Sequence, residues 1–206
     1  AFASTVPLEA VRLMFSHFMS RPKYTSKAAP PKDDDFVLMF LDISKAHPHA
    51  KTTRTIYTRL PAEHPKGGDS KVCGLLKMNL YGAKDAGKNF EDLVASISKE
   101  AGARRGSMNS CIYSIPEKDM RYFHYGDDFI ISAPRRHAVW MKEQIEKTLI
   151  VKDRGSIGPA STDLSRITFL HRIIEYDRMK DVLTFQADPK HANLLIEALG
   201  FNERSK

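Results

Sequence analysis

Cysteine is scarce in this sequence: only Cys73 and Cys111 occur in 206 residues, far apart and without Cys-x-x-Cys spacing. This scarcity argues against a zinc site and against a secreted domain held together by disulfide bonds. Because both cysteines lie in apolar runs typical of strands, we expect two buried free thiols. No apolar run approaches the length of a membrane span, and the N-terminus lacks the charged-then-apolar pattern of a secretory signal. These absences predict an intracellular protein, cytoplasmic or nuclear, with no membrane partner.

The composition is that of an ordinary globular protein, with 42% hydrophobic and 28% charged residues. At 206 residues the chain is long enough for one large domain or two small subdomains. Its net charge of +7 and isoelectric point near 9.4 favour an anionic partner, of which nucleic acid is the commonest. The basic residues are scattered, as in a groove lined by several loops or on a merely soluble surface: Arg21, Lys51, Arg54, Arg104, Arg105, Arg135, Arg136 and Arg178.

Hydrophobic periodicity and turn residues divide the chain into alternating helices and strands. The predicted helices cover about 8–19, a segment from Asp85 to Gly102, about 135–149, and a segment that opens at Asp188-Pro189 and stops at Gly200. The predicted strands cover 36–42, 55–60, 71–76, 111–115, 121–125 and 129–133, followed by a loop over 152–165 and a hairpin of 167–176 with 182–186. This order of elements predicts an α+β fold in which helices cover a sheet.

Two groups of potential metal ligands are expected to be ordinary surface residues. Asp33, Asp34 and Asp35 fall in a loop rich in proline and lysine, where a solvated run of charge is the simplest interpretation. His47 and His49 flank a proline at a spacing that fits no common zinc pattern, so we interpret them as loop histidines.

The most informative stretch is a turn between two apolar runs, made by Gly126, Asp127 and Asp128. Gly126 supplies the positive φ that a tight hairpin turn needs. Two adjacent carboxylates repel each other unless a positive charge lies between them. An isolated Asp-Asp pair is usually a solvated turn, whereas half of a divalent-cation site would require a third carboxylate from elsewhere in the chain.

Asp42 is the candidate for that third carboxylate. It ends the run 36–42, which is apolar throughout and therefore predicts an interior strand that is covered on both faces. A carboxylate at the end of such a strand lies at the edge of the core, where sheet-based sites usually form, and an ionised aspartate within the core is costly unless it is paired or binds a metal. Mg²⁺, or Mn²⁺ in its place, prefers such oxygen ligands. Two such ions roughly 4 Å apart can activate a 3′-hydroxyl and stabilise a leaving pyrophosphate, which is the chemistry of nucleotidyl transfer.

Tyr125-Gly126-Asp127-Asp128 within an apolar hairpin resembles the Tyr-x-Asp-Asp signature of reverse transcriptases. The resemblance extends to most of the chain and is closest to the polymerases of copia-type retrotransposons. Lys152-Asp153-Arg154-Gly155, for example, is similar to the family's Lys-Asp-Leu-Gly. The other stretches that carry the resemblance are Thr5-Val6-Pro7 with Arg12-Leu13, Leu41-Asp42-Ile43-Ser44-Lys45-Ala46, Ile56-Tyr57 with Leu60-Pro61, Val72-Cys73-Gly74-Leu75, Leu80-Tyr81-Gly82-Ala83-Lys84-Asp85-Ala86, Cys111-Ile112-Tyr113 and Phe169-Leu170.

The resemblance implies a single α+β domain over 1–206, with a palm-type antiparallel sheet backed by helices, partial fingers and the start of a thumb. The palm core would cover about 36–176 and the thumb-like segment about 177–206. It implies a fragment of a longer Pol polyprotein, whose ribonuclease H and integrase regions are expected but absent from this sequence. The implied partners are an RNA template, a DNA primer and deoxynucleoside triphosphates.

The resemblance also implies roles for individual residues. Asp42, Asp127 and Asp128 would be catalytic and would bind Mg²⁺ (or Mn²⁺), with Asp42 and Asp127 carrying most of the coordination. The nucleotide- and template-binding positions would be His47, Tyr81, Gly82, Asp85, Tyr125 and Gly126. Three residues depart from the family: His47 replaces an aromatic ring that screens the sugar 2′ carbon, Asp85 replaces a glutamine, and His171 replaces a glycine. A tight turn at His171 is expected to be strained.

Two other functions are compatible with the same residues. A catalytically inactive remnant of a retroelement would keep the fold and bind nucleic acid non-specifically through its positive charge. A nucleotide cyclase built on a similar palm shares the carboxylate chemistry, although it does not account for the Leu-Tyr-Gly and Val-Cys stretches.

Overall fold

The computed structural model describes residues 5–23, 30–187 and 189–201. Over these residues the α-helices are α1 (Leu8–Met19), α2 (Ala46–His49), α3 (Ala86–Glu100), α4 (Arg135–Glu146) and α5 (Pro189–Ala198), with a 3-10 turn at Pro116–Lys118. The strands are β1 (Phe36–Ile43), β2 (Tyr57–Thr58), β3 (Gly74–Leu75), β4 (Arg104–Arg105), β5 (Ile112–Ile115), β6 (Met120–Tyr125), β7 (Asp128–Pro134), β8 (Val151–Ile157), β9 (Arg166–Phe169), β10 (Arg172–Asp177) and β11 (Val182–Ala187). None of the helices in these ranges is long and apolar enough to cross a membrane.

The main sheet has six strands in the order β4-β5-β6-β7-β1-β8, and its neighbouring strands pair antiparallel. β1 is an interior strand between β7 and β8, and its residues from Phe36 to Leu41 are buried on both faces. Its continuous apolar sequence is the reason, because an interior strand covered on both faces has no solvent side for polar residues. The predicted interior strand is therefore confirmed.

Two apolar clusters lie on opposite faces of this sheet. Val37, Met39 and Leu41 of β1 pack in one cluster with residues of α3 and α4. Leu38 and Phe40, which point the other way, pack in the second cluster with α1 and the sheet β11-β10-β9. Because side chains alternate along a strand, one apolar sequence supplies both clusters.

The predicted α+β class is confirmed, and most helix boundaries agree with the sequence pattern. The predicted loop over 152–165 is confirmed for residues 158–165 and wrong for its first part, because residues 151–157 form the strand β8. The sequence of β8 is polar and gives no strand signal, and its pairing with the backbone of β1 decides its conformation. Residues 55–60 and 71–76 form only the two-residue strands β2 and β3.

The expected strand 167–176 is in fact two strands, β9 and β10, which pair antiparallel. Leu170 and His171 form the turn between them, and both have positive φ angles, +48° and +55°. Side chains with a Cβ rarely adopt this conformation, so the expectation of strain at His171 is confirmed. The predicted cap of the last helix at Asp188 lies outside the described residues.

Three predictions about polar side chains need correction. Cys73, which directly precedes the two-residue strand β3, is exposed like Leu75 in that strand, whereas Cys111 is buried as expected. Asp35 is fully buried and accepts a hydrogen bond from the Lys32 N–H, so the acidic run is not wholly solvated. His47 and His49 belong to the short helix α2 rather than to a loop.

Candidate functional site at the Gly-Asp-Asp turn

The Gly-Asp-Asp stretch closes a tight hairpin between β6 and β7. Tyr125 pairs with Asp128, which leaves Gly126 and Asp127 as the two turn residues. Gly126 has φ +60°, and a Cβ placed there would meet no atom within 4 Å. Glycine is thus required by the backbone conformation and not by crowding. The N–H of Ile43 donates to the Asp127 carbonyl at 2.9 Å, which fixes the turn against the end of β1.

The pairing of β1 with β7 brings the predicted carboxylates together. Asp42 and Asp128 are direct register partners in this antiparallel pair, and Asp127 precedes Asp128 in the turn. Side chains that are directly opposite on antiparallel strands lie on the same face, with Cβ atoms about 5 Å apart. Asp42, Asp127 and Asp128 therefore meet at one end of the sheet, although 85 positions separate Asp42 from Asp127 in the sequence.

Asp128 is partly buried, with 20% of its side chain exposed, whereas Asp127 is exposed. Burial raises its pKa, and the neighbouring charges of Asp127 and Asp42 raise it further. The Arg154 guanidinium opposes this effect: its Nη1 lies 3.3 Å from Asp128 Oδ1. Arg154 was not among the site residues predicted from the sequence, and the one available signal was its charge at a position where the copia-type polymerases that this stretch resembles have leucine.

Carboxylate oxygens at the end of the sheet are the donors that Mg²⁺ and Mn²⁺ prefer, so the residue types suit a divalent cation. Within the ranges that the structure describes, however, no three His, Cys, Asp or Glu side chains are arranged as a metal-binding group. One oxygen of Asp128 is also occupied by Arg154. The chemistry of the three carboxylates fits the ion, while their present side-chain arrangement is not a preformed three-ligand site.

A cleft of about 650 Å³ adjoins the turn. Its walls come from the hairpin turn, the start of α1 and the β9–β10 hairpin, so it lies between the main sheet and the smaller sheet. The lining residues are Val6, Leu8, Val11, Tyr125, Asp127, Asp128, Arg154, Thr168, Phe169, Leu170, His171, Arg172 and Phe185. This cleft combines negative and positive side chains with an apolar wall.

His124 supports the turn from inside the protein and was also missed by the sequence reasoning. Its Nδ1 lies 3.4 Å from the Gly126 carbonyl, and its ring stacks on Phe129 with centroids 5.4 Å apart. Burial lowers the pKa of His124 to about 4, so the ring is neutral at pH 7 and Nδ1–H can donate to that carbonyl. The available signal was the alternation of side chains along β6, which places His124 on the same face of the strand as Tyr122, in the protein interior.

The predicted nucleotide-binding residues His47 and Tyr81 are in contact, with ring centroids 4.7 Å apart. His47 also contacts Phe90 at 6.5 Å, and Phe90 in turn contacts His124 at 6.4 Å. A series of rings thus joins these residues to the carboxylate turn. The Nδ1 atom of His47 is buried and has no hydrogen-bond partner within the described ranges.

Asp85 lies immediately before α3, where Gly82 with φ +89° turns the chain. Both oxygens of Asp85 are held by one guanidinium: Arg54 Nε lies 3.1 Å from Oδ2 and Nη2 lies 3.2 Å from Oδ1. This bidentate bond lowers the pKa of Asp85. The structure therefore places a neutralised ion pair, rather than a free carboxylate, at this predicted position.

The chain matches no protein-family model and no curated protein.

Proposed function

We propose that this chain is a palm-type domain of an RNA-directed DNA polymerase, similar to those of copia-type retrotransposons. The observation that carries the proposal is the register of β1 and β7, which sets Asp42 opposite Asp128 and next to the turn residue Asp127. Three carboxylates gathered at one end of a sheet serve no structural need, because their mutual repulsion destabilises the fold unless cations offset it.

The architecture is consistent with a palm. β1, β6 and β7 would form its central strands, and α3 and α4 would back them on the face that faces away from Asp42. The short hairpin of β2 and β3 would be part of the fingers, and α5 would begin the thumb. The expected substrates are an RNA template, a DNA primer and deoxynucleoside triphosphates, and the charge of +7 suits these polyanions.

Asp42 and Asp127 would hold Mg²⁺ or Mn²⁺, with Asp128 contributing least because Arg154 occupies one of its oxygens. The bound ions would supply activation of the primer 3′-hydroxyl and stabilisation of the pyrophosphate charge. The planar ring of His47, held against Tyr81, would screen the sugar 2′ carbon. Gly126 and the carbonyl contact of His124 would keep the turn in the conformation that presents Asp127.

A second candidate function is non-specific binding of nucleic acid without catalysis. The observation in its favour is the side-chain arrangement itself: among the described residues no three-ligand metal group is formed, and Asp128 is paired with Arg154. This function depends on charge alone. Its affinity would therefore fall steeply with salt and would not depend on the template sequence.

Primer extension on an RNA template separates the two functions. With Mg²⁺ or Mn²⁺ present, the wild-type chain should extend a DNA primer, and Asp127→Asn should reduce the rate at least about a hundredfold, because it removes a charge that holds the ions. Asp92→Asn, at an exposed position of α3, is the matched control and should keep the wild-type rate. Binding without extension by the wild-type chain would reject the polymerase and favour the second function.

A further inference from the structure

Arg154 connects the carboxylate turn to the smaller sheet. Its Nη1 lies 3.3 Å from Asp128 Oδ1, and its Nη2 donates to the Thr168 carbonyl of β9 at 2.9 Å. The hydrogen bond to Thr168 fixes the guanidinium to the backbone of β9. Its other nitrogen, Nη1, is thereby held in a fixed position against Asp128. About a third of the Arg154 side chain is exposed, which leaves the pair accessible from the cleft.

A β-bulge directs Arg154 toward Asp128. In the pairing of β1 with β8, Phe40 is opposite Gly155 and Leu41 is opposite Asp153, so Arg154 is the extra residue. Gly155, with φ +96°, provides the backbone conformation that accompanies the bulge. Bulges of this kind change the direction of a side chain. Here the bulge puts a guanidinium on the carboxylates' face of the sheet.

The Arg154 guanidinium changes the balance of charge around Asp128. Asp42 is the register partner of Asp128 and Asp127 precedes it, so three carboxylates lie together at this end of the sheet, and the Arg154 guanidinium contacts one of them at 3.3 Å. Lys152, the register partner of Asp42, is a second cation at the same end of the sheet. An arginine bound to Asp128 cancels one of three negative charges and repels any divalent cation that approaches this carboxylate.

We propose that Arg154 is a positioning residue that keeps Asp128 in an ion pair and out of cation coordination, so that Asp42 and Asp127 form the cation-binding pair. This inference rests on the proposed function, since it concerns the same site. The site therefore binds divalent cations more weakly with Arg154 than without it. Asp128 becomes a ligand only when the guanidinium leaves.

Direct binding of Mn²⁺, followed by electron paramagnetic resonance without any nucleic acid, tests this proposal. Arg154→Leu should bind Mn²⁺ about fivefold more tightly than the wild-type chain, the size expected for removal of one partly exposed ion pair. Adding Asp128→Asn should abolish the gain. Arg166→Leu removes an exposed arginine that pairs with Glu175 in the other sheet, and this control should bind as the wild-type chain does.

A double-mutant cycle on urea unfolding, in the absence of metal, tests the ion pair independently. The separate changes Arg154→Leu and Asp128→Asn should not be additive, because each removes the same bond. Additive effects would overturn the proposal. So would Mn²⁺ binding by Arg154→Leu that is no tighter than that of the wild-type chain. If the cycle shows coupling but no variant binds Mn²⁺, the proposed polymerase function fails, and the inference fails with it.

Discussion

Acid should destabilise this protein through His17, which α1 carries into the core. His17 is only 7% exposed, and its Nδ1 lies 3.0 Å from the Ser132 hydroxyl oxygen of β7. Its Nε2 lies 3.3 Å from Asp119 Oδ1, and its ring packs edge-to-face on Phe36. Burial, followed by the nearby charge of Arg121, lowers the pKa of His17 from 6.5 to about 4.

The sign and size of the effect follow from this pKa. Below pH 6.5 the unfolded chain binds a proton at His17, whereas the folded chain keeps the ring neutral down to about pH 4. The contribution of His17 to the free energy of unfolding is therefore fully present above pH 6.5. It falls by up to about 3 kcal/mol as the pH drops to 4. His124, whose pKa burial also lowers to about 4, should add a similar loss over the same range.

Urea unfolding at pH 7, 6 and 5 measures the effect. His17→Gln removes the titrating ring, so its free energy of unfolding should depend less on pH than that of the wild-type chain, by up to ~1.4 kcal/mol per pH unit. His64→Gln removes an exposed histidine and should keep the wild-type dependence. The reasoning is refuted if His17→Gln and the wild-type chain lose stability in parallel between pH 7 and pH 5.

Two further predictions concern thermal and chemical stability. His171→Gly should raise the free energy of unfolding by about 1 kcal/mol, because glycine adopts the φ of +55° without strain. Thermal unfolding measures this gain; Glu63→Gly, at an exposed turn, is the control, and a gain of the same size there would contradict the prediction. Phe40→Ala should cost about 3–5 kcal/mol in urea unfolding, because the side chain is fully buried. Leu13→Ala, at a side chain that is 66% exposed, should change the free energy by less than about 0.5 kcal/mol, and an equal loss in both variants would reject the assigned core.

The fold could be predicted in segments where the pattern of apolar residues along the chain indicates which side chains are buried. The run 36–42 is apolar at every position before Asp42, and this pattern correctly predicted an interior strand with both faces covered. The helical spacing over 8–19 predicted α1 at its observed bounds. In both cases a residue's environment is encoded in its own neighbours along the chain, which is the condition under which periodicity is informative.

β8 could not be predicted, because its sequence carries no strand pattern. It contains Lys152, Asp153, Arg154 and Gly155 in succession, and it forms a strand because the edge of β1 offers backbone partners. The burial of Cys73 was equally out of reach of local pattern: its apolar neighbours along the chain resemble a buried strand, yet Cys73 and the nearby Leu75 are exposed. Long-range pairing, rather than local propensity, decides such segments.

For the candidate site, the sequence by itself determined the chemical groups and the turn. Gly126 between apolar strands required a hairpin, and Asp42, Asp127 and Asp128 were recognisable as carboxylates at strand ends. Only the tertiary structure decided what neutralises them and what supports them. The register of β1 with β7 sets Asp42 opposite Asp128, and a bulge in β8 brings in Arg154, 26 positions further along the chain. Contacts across such distances arise from backbone pairing between separate strands, and no local pattern in the sequence records them.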